Sequence, residues 1–283
     1  IDIIRKKCNP ISLSRFYKSV TSGKALPKNA VVITVDDGYE DFFRYALPLF
    51  EAYRIPVTLF ITSDFVDRTT WLWPDMIDYA VMNASCQQVS INISNGSCQY
   101  DLNTPEERHL AWSDLADHAL SLNDTSCRAF IKTLAGELKV SLPGIPTEKY
   151  SAMSWEQVRI ARRAGVEIGS HTCTHPRLTC VDNQQLEDEL IRSKEKIEYE
   201  LQESVSAFCY PFGRPSDIDP HVKRAVAIAG YRYATSCYYG RDLASDLYEI
   251  KRFPVGNNIN DFTKKIMGWE TVKMYLPFRQ VAR

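Results

Sequence analysis

The stretch AVVITVDDGYEDFFRYALPLFEAYRIPVTLFIT, residues 30–62, decides the fold. Ala30 to Asp36 is a β-branched run ending at Asp36-Asp37-Gly38, which reads as a buried strand entering a turn. From Tyr39 to Tyr53 the apolar residues Phe42, Phe43, Ala46, Leu47 and Phe50 follow a helical spacing. Pro56 then opens a second apolar run, Val57 to Thr62. Strand, helix and strand in succession make a parallel crossover unit.

The same grammar returns downstream. Trp155 to Ala164 is a helical stretch stopped by Gly165, and Val166 to Ser170 is a short strand. Gln184 to Gln202 is a charged amphipathic helix with Leu186, Leu190, Ile197 and Leu201 on one stripe. Its charges read as a plain solvated face. Strands follow at 205–210, 231–236 and 248–254, with a helix from Pro220 to Ala229 closed by Gly230. Alternating βα units without a glycine-rich nucleotide fingerprint favour a barrel over a Rossmann sheet. Residues 71–150 interrupt the alternation with Trp71, Trp73, a hairpin turn at Asn95-Gly96 and helical material from Pro105 to Leu138. They read as an insertion on one rim of a single domain spanning 1–283, placed to line a substrate groove.

At 283 residues the chain can bury one large core. It carries 34 Lys+Arg against 35 Asp+Glu, with no clustered positive run to gather nucleic acid. No apolar run approaches the roughly 18 to 20 residues needed to span a bilayer. The eight cysteines show no convincing pairing pattern, which favours a reducing compartment, cytoplasmic before periplasmic or secreted. Cys173, Cys209 and Cys237 fall in or beside core strands, where thiols act as small apolar groups. Cys86 and Cys98 flank the hairpin and would be bridged only in an oxidising setting. Asn-x-Ser/Thr sequons begin at Asn83, Asn92, Asn95 and Asn123 and matter only in a glycosylating pathway. The first residue is Ile1 and not Met, which leaves room for a removed leader.

Two carboxylates at the C-terminal end of a buried strand are costly unless ionised for a purpose or paired. In a parallel barrel that end carries the active site. Taken alone, Asp37-Gly38 is an ordinary turn pair. His171-Thr172-Cys173-Thr174-His175 also follows a strand, and Pro176 keeps it from continuing as regular helix. Two histidines four residues apart, joined by a carboxylate from another strand end, make a two-His, one-carboxylate set. Such a set leaves coordination positions open, as catalytic metal sites do.

On these residues the chain resembles the polysaccharide deacetylase family, the NodB-homology group of carbohydrate esterases. The family's Thr-Phe-Asp-Asp-Gly motif appears as Thr34-Val35-Asp36-Asp37-Gly38, its His-Ser/Thr-x-x-His as His171 to His175, and its Pro-Tyr/Phe-Gly as Pro211-Phe212-Gly213. The resemblance implies an α/β fold, an incomplete and distorted seven-stranded (β/α) barrel. It implies Asp37, His171 and His175 as ligands of one divalent metal, zinc before iron, cobalt or nickel, and Asp36 as general base. Phe212 is the matching position for a backbone N–H that meets the oxyanion. The implied substrate is a carbohydrate bearing N-acetyl groups. Two rivals stand beside this reading: an amidase or deformylase acting on a sugar nucleotide or lipid-linked sugar, and a glycan-binding relative without catalysis.

The match has gaps. Many members carry an Arg where this chain has Cys209. Arg252 is the expected substitute cation for Asp36, with Lys251 and Arg214 as alternatives. No His follows His221, so the family's general acid is unassigned, and His221 itself reads as structural. His109 and His118 read as bland. Cys173 is expected to face the core. Trp71, Trp73, Tyr238 and Tyr239 are placed equally well as sugar-stacking or as core residues.

Overall fold

The computed structural model describes residues 1–93, 96–238, 240, 244–256 and 258–266. Strands β1 (Asn9–Pro10) and β2 (Ala30–Val31) form a parallel pair of their own. Then come β3 (Thr34–Val35) and β4 (Thr58–Ile61), a hairpin of β5 (Gln88–Ile93) and β6 (Gly96–Asp101), and β7 (Glu167–Ser170), β8 (Ala207–Cys209) and β9 (Tyr233–Thr235). The main sheet is parallel throughout, in the order β3-β4-β7-β8-β9. It curls into an open barrel with helices outside, the architecture the α/β alternation predicts.

Strand β4 shows why the sheet is stable. Leu59 and Ile61 face the helices and join Val158, Leu186, Leu190 and Val222, while Phe60 faces the other way, against Leu13, Ala207 and Tyr233. Period-two alternation therefore buries both faces, as parallel sheets require. Each such side chain contributes ~1.5–3 kcal/mol on burial. The covering helices start where their caps dictate: Ser154 and Gln157 form a capping box at Trp155–Arg163, and Asp182 caps Asn183–Leu201.

Four expectations change. Among the described residues the main sheet has five strands, not seven. The run from Ala30 to Asp36 is half-buried and divided, because β3 lies at the open edge with a partner on one side only. At the other edge, 248–254 makes a single bridge, Ile250 to Thr235. There Tyr248 N–H turns back to Asp246 Oδ1 (2.8 Å) and Glu249 N–H to Asp246 C=O (3.0 Å), a local turn that displaces a ladder. The helix expected over 39–53 is a π turn at Phe42–Ala46 followed by an α-helix at Leu47–Ala52. Pro48 has no N–H to continue a regular α ladder through that point.

Residues between β4 and β7 build a second hydrophobic cluster. Helices Trp73–Met82, Pro105–Ser121 and Asp124–Glu137 pack Ile77, Leu115, Ile131 and Leu134 against Ile91 of the hairpin. Asn95, expected in the hairpin turn, lies outside the described residues; Ile93 pairs with Gly96 across it. All eight cysteines are free, Cys86 and Cys98 included. No described helix is long and apolar enough to cross a membrane.

Candidate active site

Three loops leave the C-terminal ends of parallel strands and meet. Asp36 and Asp37 follow β3, His171 follows β7, and Tyr210 to Gly213 follow β8. Asp37 Oδ1 lies 3.4 Å from Nε2 of His171 and 3.4 Å from Nε2 of His175. His171 Nδ1 donates to the carbonyl of Cys209 (2.7 Å), a contact that orients the ring with Nε2 towards Asp37. Burial, then the neighbouring His171, holds His175 well below the ordinary imidazole range, so its ring is neutral. Asp37 Oδ1 has no hydrogen-bond partner among the described residues.

This donor set fits a divalent cation. Ligands ~2.1 Å from a common ion at tetrahedral angles stand ~3.4 Å apart, the spacing found between Asp37 and each histidine. A second cluster, Asp36 with His171 and Cys209, is also compact. It suits a metal poorly, because Arg252 already occupies Asp36 and burial raises the Cys209 thiol far above its usual range.

The two adjacent aspartates are driven apart. Burial pushes both carboxyls up, but in Asp36 the charge and hydrogen bonds of Arg252 prevail and hold it down at about 2. Asp37 has no such partner, and burial lifts it to about 6. Arg252 reaches Asp36 by two parallel bonds of 2.8 Å, and is itself aimed by Ser236 C=O (2.7 Å) and Thr34 Oγ1 (2.8 Å). Cys209 Sγ stands 2.9 Å from Arg252 Nη2, so a small thiol at this position leaves room for the guanidinium. The alternatives are engaged elsewhere: Lys251 lies over the Tyr238 ring and Arg214 faces Asp117 at 3.7 Å.

Backbone strain concentrates here. Asp37 (φ 75), Thr172 (φ 70), His175 (φ 61) and Phe212 (φ 59) all adopt the left-handed region, at ~1–2 kcal/mol each. Gly213 shares it, and a Cβ there would lie 2.6 Å from Cys237 N. Phe212 N–H has no acceptor among the described residues, and its ring packs on His175 (4.8 Å) and Trp73 (5.4 Å). Trp73 and Phe212, with Leu122 and Arg177, line a shallow cleft beside the cluster. Trp71 is instead a core residue, packed on Tyr79 and Tyr150. Tyr238 is half-buried, and its hydroxyl donates to Glu249; Tyr239 lies outside the described residues.

Cys173 is buried with Sγ 3.7 Å from Glu189 C=O, turned away from the cluster. His221 Nε2 pairs with Asn183 (3.0 Å), His109 stacks on Trp112 and His118 meets Phe130. Two contributors went unseen in the sequence. Tyr39 donates to Asp75 (2.7 Å), tying the Asp37 loop to the helix at Trp73–Met82. Glu189, inside the helix whose charges were read as solvated, is buried. Its place one turn from the buried Leu186 and Ser193, and next to Leu190, is the signal that marks it.

Fold and site together define an open parallel barrel with a two-His, one-carboxylate cluster at the C-terminal ends of its strands. The profile of the polysaccharide deacetylase family matches residues 23–96 and 118–234, more than half of the chain. The chain belongs to the polysaccharide deacetylase family. It is similar to the poly-β-1,6-N-acetyl-D-glucosamine N-deacetylase of Escherichia coli K12, at 34% identity over 58 residues. That match spans 20% of this chain and 9% of the relative's length. Among solved structures, the Streptococcus pyogenes deacetylase PplD in complex with acetate superposes with a TM-score of 0.59 at 14% identity, covering 98% of this chain and 84% of that one. IcaB from Ammonifex degensii gives 0.56 at 14% identity, covering 97% and 84%. These two likenesses establish the fold.

Proposed function

We propose that the chain hydrolyses the N-acetyl group of an amino sugar within a glycan, releasing acetate and a free amine. The observation that carries this reading is the division of labour between neighbouring acids: Asp37 faces the Nε2 atoms of two histidines, while Asp36 is held ionised by Arg252. Asp37, His171 and His175 would hold one divalent ion, with zinc the first choice and iron, cobalt or nickel compatible with the same donors. Bound there, the ion supplies Lewis acidity and a water of lowered pKa.

The protein's own groups do the rest. Asp36 keeps lone pairs beyond those Arg252 engages and accepts the proton of the attacking water. Phe212 N–H, without an acceptor among the described residues, would meet the oxyanion as the carbonyl becomes tetrahedral, a contribution of ~3 kcal/mol for one such donor. Arg252 would orient Asp36 through its two bonds to the carboxylate.

We further read residues 71–150 as an insertion within one catalytic domain, which supplies Trp73 to the cleft beside Phe212. An aromatic wall there suits the apolar face of a pyranose. The name of the Escherichia coli relative makes β-1,6-linked N-acetylglucosamine oligomers the first substrate to try. The test is acetate release from those oligomers by the zinc-loaded protein. Turnover that a chelator stops is expected. A metal-loaded protein that frees no acetate from any acetylated amino sugar refutes the assignment.

A further inference from the structure

Glu189 lies in the middle of the Asn183–Leu201 helix, 5% exposed, with its carboxylate turned under the His171–His175 loop. Oε2 accepts from the backbone N–H of Cys173 (2.7 Å) and of Thr174 (2.9 Å), and Oε1 accepts from the Thr174 hydroxyl (2.5 Å). These are the two residues at the centre of the loop. On either side of them, Thr172 and His175 sit in the left-handed region, which such residues hold only when the surroundings over-determine it.

The loop's other bonds hold its carbonyls and its ends, not the two central N–H groups. His171 N–H goes to Ile61 C=O (2.9 Å), Ser63 N–H reaches Thr172 C=O (3.1 Å), Asp64 N–H reaches Cys173 C=O (3.0 Å), and His175 N–H returns to Thr172 Oγ1 (3.0 Å). Among the described residues, only Glu189 accepts from the two central amides. Consecutive N–H groups converging in this way form an anion-binding nest.

A buried carboxylate is expensive compared with the leucines beside it on the same stripe. If the helix needed only to fill space, a residue like Leu186 or Leu190 would do so. The geometry points to Glu189 as a positioning residue for the metal site: it clamps the peptide between the histidines so that both Nε2 atoms converge on Asp37. This rests on the ligand reading given above. Among the described residues the hydrogen bonds of the Glu189 carboxylate go to Cys173 and Thr174 and none to a ligand ring, so it acts through the loop and takes no part in the chemistry.

The test uses the full chain, freed of metal, with zinc affinity measured by competition against a chromophoric chelator and thermal unfolding followed alongside. Glu189→Leu matches its apolar neighbours in bulk but accepts no hydrogen bond. Its zinc affinity is expected to fall ~10–100-fold, the usual effect of losing support behind the ligands. Glu189→Gln, which retains an oxygen for the two amides, should recover most of that loss. Ser193→Ala, one turn along the same buried face, should lower the melting temperature without weakening zinc binding. If Glu189→Leu does not fold, Glu189→Ala, which admits water to the freed amides, takes its place with the same expectation.

Zinc affinity at the unmutated level in Glu189→Leu, or an equal loss in Ser193→Ala, overturns the inference. His175→Ala separates the two layers of argument. Lost binding there alongside normal binding in Glu189→Leu removes the clamp alone. Normal binding in His175→Ala removes the ligand set, and the clamp with it.

Discussion

Arg252 meets Asp36 edge to edge, Nη1 on Oδ1 and Nη2 on Oδ2, each at 2.8 Å, across 216 positions of sequence. This fork sets both the direction and the charge of the carboxylate assigned as base. Replacing Arg252 by Met removes the largest influence that holds a buried acid down, so burial then outweighs the smaller effects of His171 and Cys209 and pushes its pKa up. In the unmutated protein Asp36, held at about 2, stays ionised throughout, so loss of metal as Asp37 protonates near pH 6 sets the acid limb. In Arg252→Met the raised Asp36 should carry that limb to higher pH, and kcat should fall ~10²-fold or more. An unmoved acid limb in a pH–rate series would remove Asp36 from the base role.

Asp36→Asn and Asp37→Asn should behave differently although the residues are adjacent. The first is expected to retain metal and lose turnover, the second to lose metal. Metal content by elemental analysis beside acetate release separates them, and the reverse pattern would exchange the two roles.

As the proposed ligand, Asp37 should bind zinc in competition with a proton, since burial holds its carboxyl up at about 6. Above that pH the carboxylate is already ionised and affinity is flat with respect to this group. Below it each pH unit should weaken binding by up to ~10-fold, because ligand protonation competes with the metal. Titrations between pH 7.5 and 5 give the slope, and a flat line through pH 6 contradicts the assignment.

On the proposed reading Phe212 would contribute through its backbone, so Phe212→Gly, which tolerates the left-handed conformation, should keep the donor. Its kcat should fall by less than the ~10²–10³-fold expected on loss of an oxyanion contact. Gly213→Ala, whose Cβ would crowd Cys237 N at 2.6 Å, should displace the same amide and cost more. Steady-state kinetics on the two variants orders them, and a larger loss in Phe212→Gly would assign the effect to the ring.

Gly169 in β7 has no room for a side chain, since a Cβ would lie 2.5 Å from the Phe60 ring and 3.1 Å from Ala207 C=O. Gly169→Ala should destabilise the fold by ~1–3 kcal/mol as an overpacked core does, read as a lowered denaturation midpoint. A midpoint equal to that of the unmutated protein would mean that Phe60 can move aside.

Much of this was legible in the sequence because it is local. Asp36-Asp37-Gly38 and His171 to His175 are short motifs at strand ends, and the strand–helix alternation declares the barrel around them. Arg252 was harder: three cations were eligible, and only distance in space excludes Lys251 and Arg214. The bend at Asp246 could not be foreseen either, since an aspartate that caps its own turn looks like any polar residue inside a strand-like run. Glu189 misled for a different reason. Helical phase put it beside Leu186 and Leu190, but a charged residue at a stripe's border reads as solvated until the partner loop that needs its oxygens is in view.

The left-handed turns at Asp37, Thr172, His175 and Phe212 lie on three loops that no contiguous fragment contains together. Each of these bends runs against what its own few residues would prefer in isolation. A peptide spanning residues 165–180 would carry both imidazoles yet relax into other shapes, and its affinity for zinc would be that of an ordinary two-histidine peptide. Cation capture should thus report on global folding: in a denaturant series, chelating power and the cooperative unfolding signal should vanish at one midpoint.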